Sequence, residues 1–264
     1  MEKLTYQEYE SREGFRQSSF KHLARSPGHY QEAQKNPTKS DALTFGSAFH
    51  TFVLEPELFQ GQFAVLPLYD GRTAEGKKIK AAFEAENKGK ELLTSKEMET
   101  IRAMAASINR HESARKIIEL SKEREQSIFW TDPETGVKCK ARLDMICRPL
   151  NVCFDLKTTE DASLREFSRS IVKWGYHYQG AHTLNGCAAN GEGIEAFGFI
   201  AVEKTPPHGV GVYRIEDQSL ITAGLEIQAL LRLYKACVES GNWPIYPDKI
   251  QEISIPEWAI KYEE

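Results

Sequence analysis

The chain has 264 residues, 41% hydrophobic and 27% charged, enough to bury a core without disulfides or a structural metal. Lys and Arg number 34 against 38 Asp and Glu, and the net charge of −4 excludes a uniformly basic nucleic-acid binder but not one with a local basic patch. No run of about 18 apolar residues occurs and Met1 to Glu10 holds no apolar segment, so the expectation is a cytoplasmic protein without a membrane span or secretory signal.

Residues 1–40 are polar with scattered aromatics (Tyr6, Tyr9, Phe15, Phe20, Tyr30), and Pro27 and Pro37 break any long helix there. They are expected to be an N-terminal extension of a single domain whose core is 41–240 and whose tail is 241–264. The spacing predicts a helix over 43–54, stopped by Pro56. Residues 61–90, punctuated by Gly71, Gly76 and Gly89, read as a loop and a charged segment. Thr94, with Glu97 three residues later, opens a helix over 94–120 in a capping-box pattern.

The period then changes to two. Residues 127–131 form a short strand, and Asp132-Pro133-Glu134-Thr135-Gly136 a turn. Along 137–147, Val137, Cys139, Ala141, Leu143 and Met145 share one face, and Lys138, Lys140, Arg142 and Asp144 the other. After a turn at Pro149 and Asn151, Val152, Phe154 and Leu156 face one way and Cys153, Asp155 and Lys157 the other. Ser163 and Glu166 open a helix to about Ala189, with an apolar stripe of Leu164, Phe167, Ile171, Trp174, Tyr178 and Ala181. Residues 194–202 and 209–215 read as a hairpin, and 217–239 as a last amphipathic helix. This order predicts an α/β fold, a mixed central sheet flanked by helices.

The chemistry concentrates at Asp144 and, one hairpin later, Asp155-Leu156-Lys157. Antiparallel pairing brings Asp144 beside Asp155 and Lys157, and two converging carboxylates suit a hard cation such as Mg²⁺. Such a site can polarise a phosphodiester and activate water, with Lys157 orienting that water or balancing charge in the transition state. Asp155 also lies in an otherwise apolar run, where a carboxylate needs a partner or a metal. Arg142 and Arg148 lie near the site in sequence, and Arg165, Arg169 and Lys173 repeat every four residues as a ridge; Arg142 and the three residues of the ridge are expected to contact the phosphate backbone of DNA. The residues alone single out none of His50, beside Phe49 and Phe52, Glu125, in a charged run, or Gln179. The five cysteines, an odd number without C-x-x-C spacing, are expected to be reduced core thiols and not zinc or iron–sulfur ligands.

Asp144…Asp155-x-Lys157, with Gly46-x-x-x-His50 upstream and Tyr178-Gln179 downstream, resembles the RecB-like branch of the PD-(D/E)XK nucleases, which have a restriction-endonuclease-like core. Ser18-Ser19-Phe20-Lys21-x-Leu23-x-x-Ser26-Pro27-x-His29-Tyr30 and Phe45-Gly46-Ser47-Ala48-Phe49-His50 are similar to the RecE (exonuclease VIII) catalytic domains, over roughly residues 15–235. The resemblance implies a Mg²⁺-dependent enzyme, with Mn²⁺ as a substitute, that degrades linear double-stranded DNA from 5′ ends. It leaves 3′ single-stranded tails for recombination, partners a single-strand-annealing recombinase of the RecT type, and assembles as a closed, toroidal homo-oligomer, a tetramer favoured. It implies His50, Asp144 and Asp155 as metal ligands, Lys157 as the catalytic lysine, Glu125 as an acid reaching the metal or its water, and Gln179 as the glutamine of a Q-x-x-x-Y motif. Position 183 is Thr where that motif has Tyr, and the cysteine quartet of iron–sulfur members is missing, so no iron–sulfur cluster is expected. A RecB-like endonuclease, an end-trimming nuclease and a non-catalytic DNA-binding relative are the alternatives.

Overall fold

The computed structural model describes residues 1–36 and 41–256, so Pro37 and the end of the tail lie outside the described residues. The N-terminal segment folds onto the rest. It forms β1 (Glu2–Lys3), α1 (Tyr6–Ser11), α2 (Gln17–Arg25) and α3 (Pro27–Lys35), with Phe20 and Leu23 buried in the core. Pro27 sits at the start of α3, where its missing N–H costs nothing, and Ser26 caps that helix.

Next come α4 (Asp41–Leu54), α5 (Pro56–Gln62), β2 (Phe63–Val65), α6 (Ala74–Glu86) and β3 (Glu91–Leu93). The expected loop over 61–90 is therefore corrected. Thr73 accepts a hydrogen bond from the Gly76 amide at 2.9 Å and opens α6, and β2 pairs with β3 in parallel. The Thr94–Glu97 capping box is present, but 94–120 is two helices, α7 (Ser95–Arg110) and α8 (Glu112–Leu120). His111 is extended between them and its ring accepts the Ala114 amide, capping the second.

The strands β4 (Glu123–Thr131), β5 (Lys138–Cys147) and β6 (Val152–Thr159) lead into α9 (Leu164–Trp174) and α10 (Tyr176–Ala189), then β7 (Ala196–Glu203), β8 (Val210–Arg214) and α11 (Asp217–Ser240). They build a six-stranded mixed sheet in the order β1-β4-β5-β6-β7-β8, in which β6 and β7 are parallel and the other pairs antiparallel. One face is covered by α2, α9, α10 and α11 through Phe20, Phe167, Ala181 and Ile227. The other is covered by α4, α7 and α8 through Phe49, Met104 and Ile117.

Two further expectations are corrected. The helix over 163–189 breaks at Gly175, whose φ of +74 only glycine adopts freely, so the proposed stripe does not run through: Leu164 is 72% and Trp174 47% exposed. In β5, Leu143 and Met145 do not share a face; they pack into opposite core layers. The β4–β5 ladder is paired on either side of Glu125 and Asp144 but not at them, and Glu125 has φ +53. This irregularity changes the face parity of the strand. All five cysteines are buried free thiols. Among the described residues no helix is long and apolar enough to cross a membrane.

Candidate active site and metal centre

The site lies where three elements meet. Regular period-two geometry in β6 puts Asp155 and Lys157 on one face, with Phe154 and Leu156 buried on the other. The β4–β5 irregularity turns Glu125 and Asp144 out of the ladder. On α4, Ala48 and Phe49 are fully buried, which fixes the neighbouring His50 at the same point.

His50 bridges the two carboxylates. Its Nε2 lies 2.6 Å from Asp144 Oδ2 and its Nδ1 3.2 Å from Glu125 Oε1. Asp144 Oδ2 also accepts the Leu156 amide at 3.0 Å, which ties β5 to β6 beyond the end of their ladder. The other Glu125 oxygen, Oε2, is held 2.6 Å from Arg142 Nε. Arg142 donates in turn to the Leu4 carbonyl at 2.9 Å and lies 4.0 Å from Glu55, which Lys3 pairs at 3.1 Å. The N-terminal strand thereby braces the site.

Asp155 is buried, with Oδ2 2.7 Å from Lys157 Nζ and Oδ1 accepting the Gln179 side-chain amide. The Lys157 ammonium lies 4.7 Å from the ring centroid of Tyr176. Burial, then the charge of Asp144, pushes the Asp155 carboxyl up to about 6. Burial opposes the charged forms of the other three groups, but partners prevail. His50 is raised well above its usual range by Asp144, Asp144 is lowered by His50, and Lys157 is raised by Asp155. The charged forms of His50, Asp144 and Lys157 thus support one another, while burial holds the neighbouring Asp155 carboxyl toward its neutral form.

These groups fit a divalent cation. His50, Glu125 and Asp144 each offer one ligand atom, and the three atoms lie within 4.8 Å of one another. Two hard carboxylates and one imidazole suit Mg²⁺ or Mn²⁺ better than soft metals. Asp155, expected as the third ligand, stands next to this set with its oxygens on Lys157 and Gln179, and Glu125 adds a further carboxylate to it.

The structure brings His50, Glu125, Asp144, Asp155, Lys157 and Gln179 together. It does not bring the expected phosphate-contacting Arg142 to the surface: its guanidinium is occupied by Glu125 and the Leu4 carbonyl, which corrects that expectation. Arg165 and Arg169 are exposed on α9 and both pair with Glu166, while Lys173 lies over Trp174. Thr183 is buried, so the position of the motif tyrosine belongs to the core here. Sequence reasoning missed the bracing role of Arg142 and the ring of Tyr176. The i, i+3 spacing of Tyr176 and Gln179 on one helix face was the available signal for the second.

Residues 15–255 match the family described as PDDEXK-like domain of unknown function (DUF3799). The chain belongs to this family. That places it in the PD-(D/E)XK superfamily, with the restriction-endonuclease-like α/β fold the sheet displays. A solved structure with a similar fold is the crystal structure named "Putative exonuclease" from Eubacterium rectale. It has a TM-score of 0.61 and 18% sequence identity, and the similarity covers 97% of each chain. No curated protein is significantly similar to the chain. Family, fold and the His/Glu/Asp cluster together support a nuclease.

Proposed function

We propose that the protein is a Mg²⁺-dependent exonuclease on linear double-stranded DNA. It degrades the 5′-ended strand and leaves 3′ tails for a single-strand-annealing recombinase of the RecT type. The observation that carries the nuclease chemistry is the convergence of His50, Glu125 and Asp144 beside Asp155 and Lys157. Polarity, the recombinase partner and a closed, toroidal homo-oligomer, a tetramer favoured, rest on the sequence resemblance to RecE catalytic domains. Closed symmetry is also the usual outcome for soluble homo-oligomers.

His50, Glu125 and Asp144 would hold the cation, which would supply Lewis acidity toward the phosphodiester and toward water. The chain's own residues do the rest. Lys157, its ammonium form favoured by Asp155, is a fixed positive charge and not a general base, so its part is to stabilise charge developing on the phosphoryl oxygens. Gln179 fixes the rotamer of Asp155 and, through it, the place of Lys157. Arg142 holds Glu125 in its left-handed backbone conformation by taking one carboxylate oxygen and leaving the other toward His50. His50 would hold a cation as the neutral imidazole, so metal affinity should be weaker on the acid side, where Asp144 and Glu125 favour its protonated form.

The test is incubation with linear duplex labelled at the 5′ or 3′ end, and with the same DNA as a covalently closed circle, in Mg²⁺ and in EDTA. The expected result is metal-dependent loss of the linear substrate with release of the 5′ label first and an intact circle. Cleavage of the circle would replace the exonuclease by an endonuclease, and full activity in EDTA would remove the metal centre from the reaction.

A further inference from the structure

Four tryptophans occur in the chain. Trp130 packs against His182, and Trp243 stacks on Tyr30. Trp174 differs. It ends α9, is 47% exposed, and has the Lys21 ammonium 4.7 Å and the Lys173 ammonium 5.0 Å from its ring centroid. Lys21, Arg25 and Lys173 make no ion pair among the described residues, whereas Arg165 and Arg169 are both tied to Glu166. Lys21 and Arg25 are one turn apart and exposed on α2. His22 between them is lowered by burial and then by Lys21, His29 and Arg25, so its charged surroundings are all basic.

The chain leads from the patch into the site within five residues, Trp174 to Gln179. A Cβ on Gly175 would stand 3.5 Å from the Lys21 Cβ, so α2 packs directly on the turn between α9 and α10. Tyr176, next in the chain, carries the ring against which Lys157 rests, and Gln179 one turn later holds Asp155. Two ammonium groups share one indole and no carboxylate neutralises them. A nucleotide answers both needs: its base covers the ring and its phosphates draw off the cations.

We propose that Trp174, flanked by Lys21, Arg25 and Lys173, is a stacking platform for an unpaired base of single-stranded DNA next to the metal centre. The proposal rests on the nuclease reading for its role but not for its existence. The partner is a single strand and not a duplex, because bases inside a duplex have both faces covered by their neighbours and cannot meet the indole.

The test is binding of a short single-stranded oligothymidylate to the full chain in EDTA, followed by tryptophan fluorescence and by anisotropy of a labelled strand. The wild type is expected to bind with quenching. Trp174→Phe, which keeps a ring, should bind within about twofold and lose most of the quenching. Trp174→Ala should bind roughly tenfold more weakly, within the range seen when one stacking side chain is removed. Lys21→Ala with Lys173→Ala should reduce the salt dependence by about 0.7 log unit of slope for each lost phosphate contact. Affinity for a covalently closed duplex circle, in which every base is covered on both faces, should not change in Trp174→Ala. The platform is overturned if the wild type does not bind the strand, if Trp174→Ala binds it as the wild type does, or if duplex affinity falls equally. Thermal unfolding of both Trp174 variants shows whether the fold is kept. Lack of Mg²⁺-dependent cleavage by the wild type would overturn the nuclease reading, and the binding results would stand apart from it.

Discussion

The two halves of the candidate site are held by differently built pieces of the same sheet. Between β6 and β7 the ladder is unbroken from Val152 with Ala196 to Thr159 with Glu203, so side chains alternate strictly and Asp155 and Lys157 leave on one face. Between β4 and β5 the ladder is paired on both sides of Glu125 and Asp144 but not at them. Glu125 there has φ +53, a backbone state that costs about 1–3 kcal/mol for a non-glycine residue and persists only when its surroundings fix it. The regular ladder sets the direction in which the lysine leaves the strand, and Asp155, itself held by Gln179, and the Tyr176 ring then receive it. The irregular one frees two carboxylates from the ladder, and side-chain partners must then hold them: His50 on one side and Arg142 on the other. The difference separates an element whose geometry the backbone ladder sets from one whose geometry side-chain partners set.

Substitutions at the irregular point should damage metal binding, in a graded order. Asp144→Asn keeps an acceptor for the Leu156 amide but removes a charged ligand. It should lower both Mg²⁺ affinity and cleavage by at least about 10²-fold, beyond the 10–100-fold common for loss of a ligand's partner group. His50→Ala should fold and lose at least about tenfold in activity, with weaker metal binding in calorimetry; a fully active variant would return His50 to a packing role. Arg142→Ala touches no ligand of the metal except through Glu125, so its Mg²⁺ affinity should fall by about tenfold or less. If Arg142→Ala matched Asp144→Asn, the distinction between ligand and brace would fail.

The smallest effect expected is on pH dependence. Asp155 is pushed up to about 6 by burial and by Asp144. Its folded value therefore exceeds its unfolded one. Its contribution to the stability of the metal-free protein is full below the ordinary carboxylate range and is lost as pH rises through about 6. A cation beside the carboxylate reverses that loss, so the rise in Tm on adding Mg²⁺ should be greater on the alkaline side of this window than on the acid side. An equal rise on both sides would show that Asp155 does not feel the metal.

The same contrast explains what the sequence discloses. Asp155 and Lys157 are legible because a regular strand converts spacing into direction, and Asp144 because a hairpin returns it beside them. The place of Glu125 depends on a left-handed backbone that neither its type nor its neighbours Arg124 and Gln126 announce. His50 reaches the site only because Ala48 and Phe49 pack α4 into the core, a tertiary fact that spacing does not carry; the family resemblance pointed to it instead. Helix α6 stayed hidden because, of its 13 residues, only Gly76 is buried, so it has no apolar stripe to read. The break at Gly175 was hidden because the apolar spacing continues across it. Arg142 looked like a surface cation because its carboxylate partner lies on a neighbouring strand, 17 residues away.

The central claim is that the two halves divide the labour, metal on one and transition-state charge on the other. It is tested most directly by Lys157→Ala, with Mg²⁺ binding by calorimetry and single-turnover cleavage of linear duplex DNA measured on the same preparation. Loss of a positive charge beside the ligands should leave metal affinity equal or slightly higher, while cleavage falls by about 10²-fold or more, the scale of removing one preorganised stabilising group. Cleavage at the wild-type rate, or a loss of cleavage that tracks a matching loss of metal binding, would contradict the account.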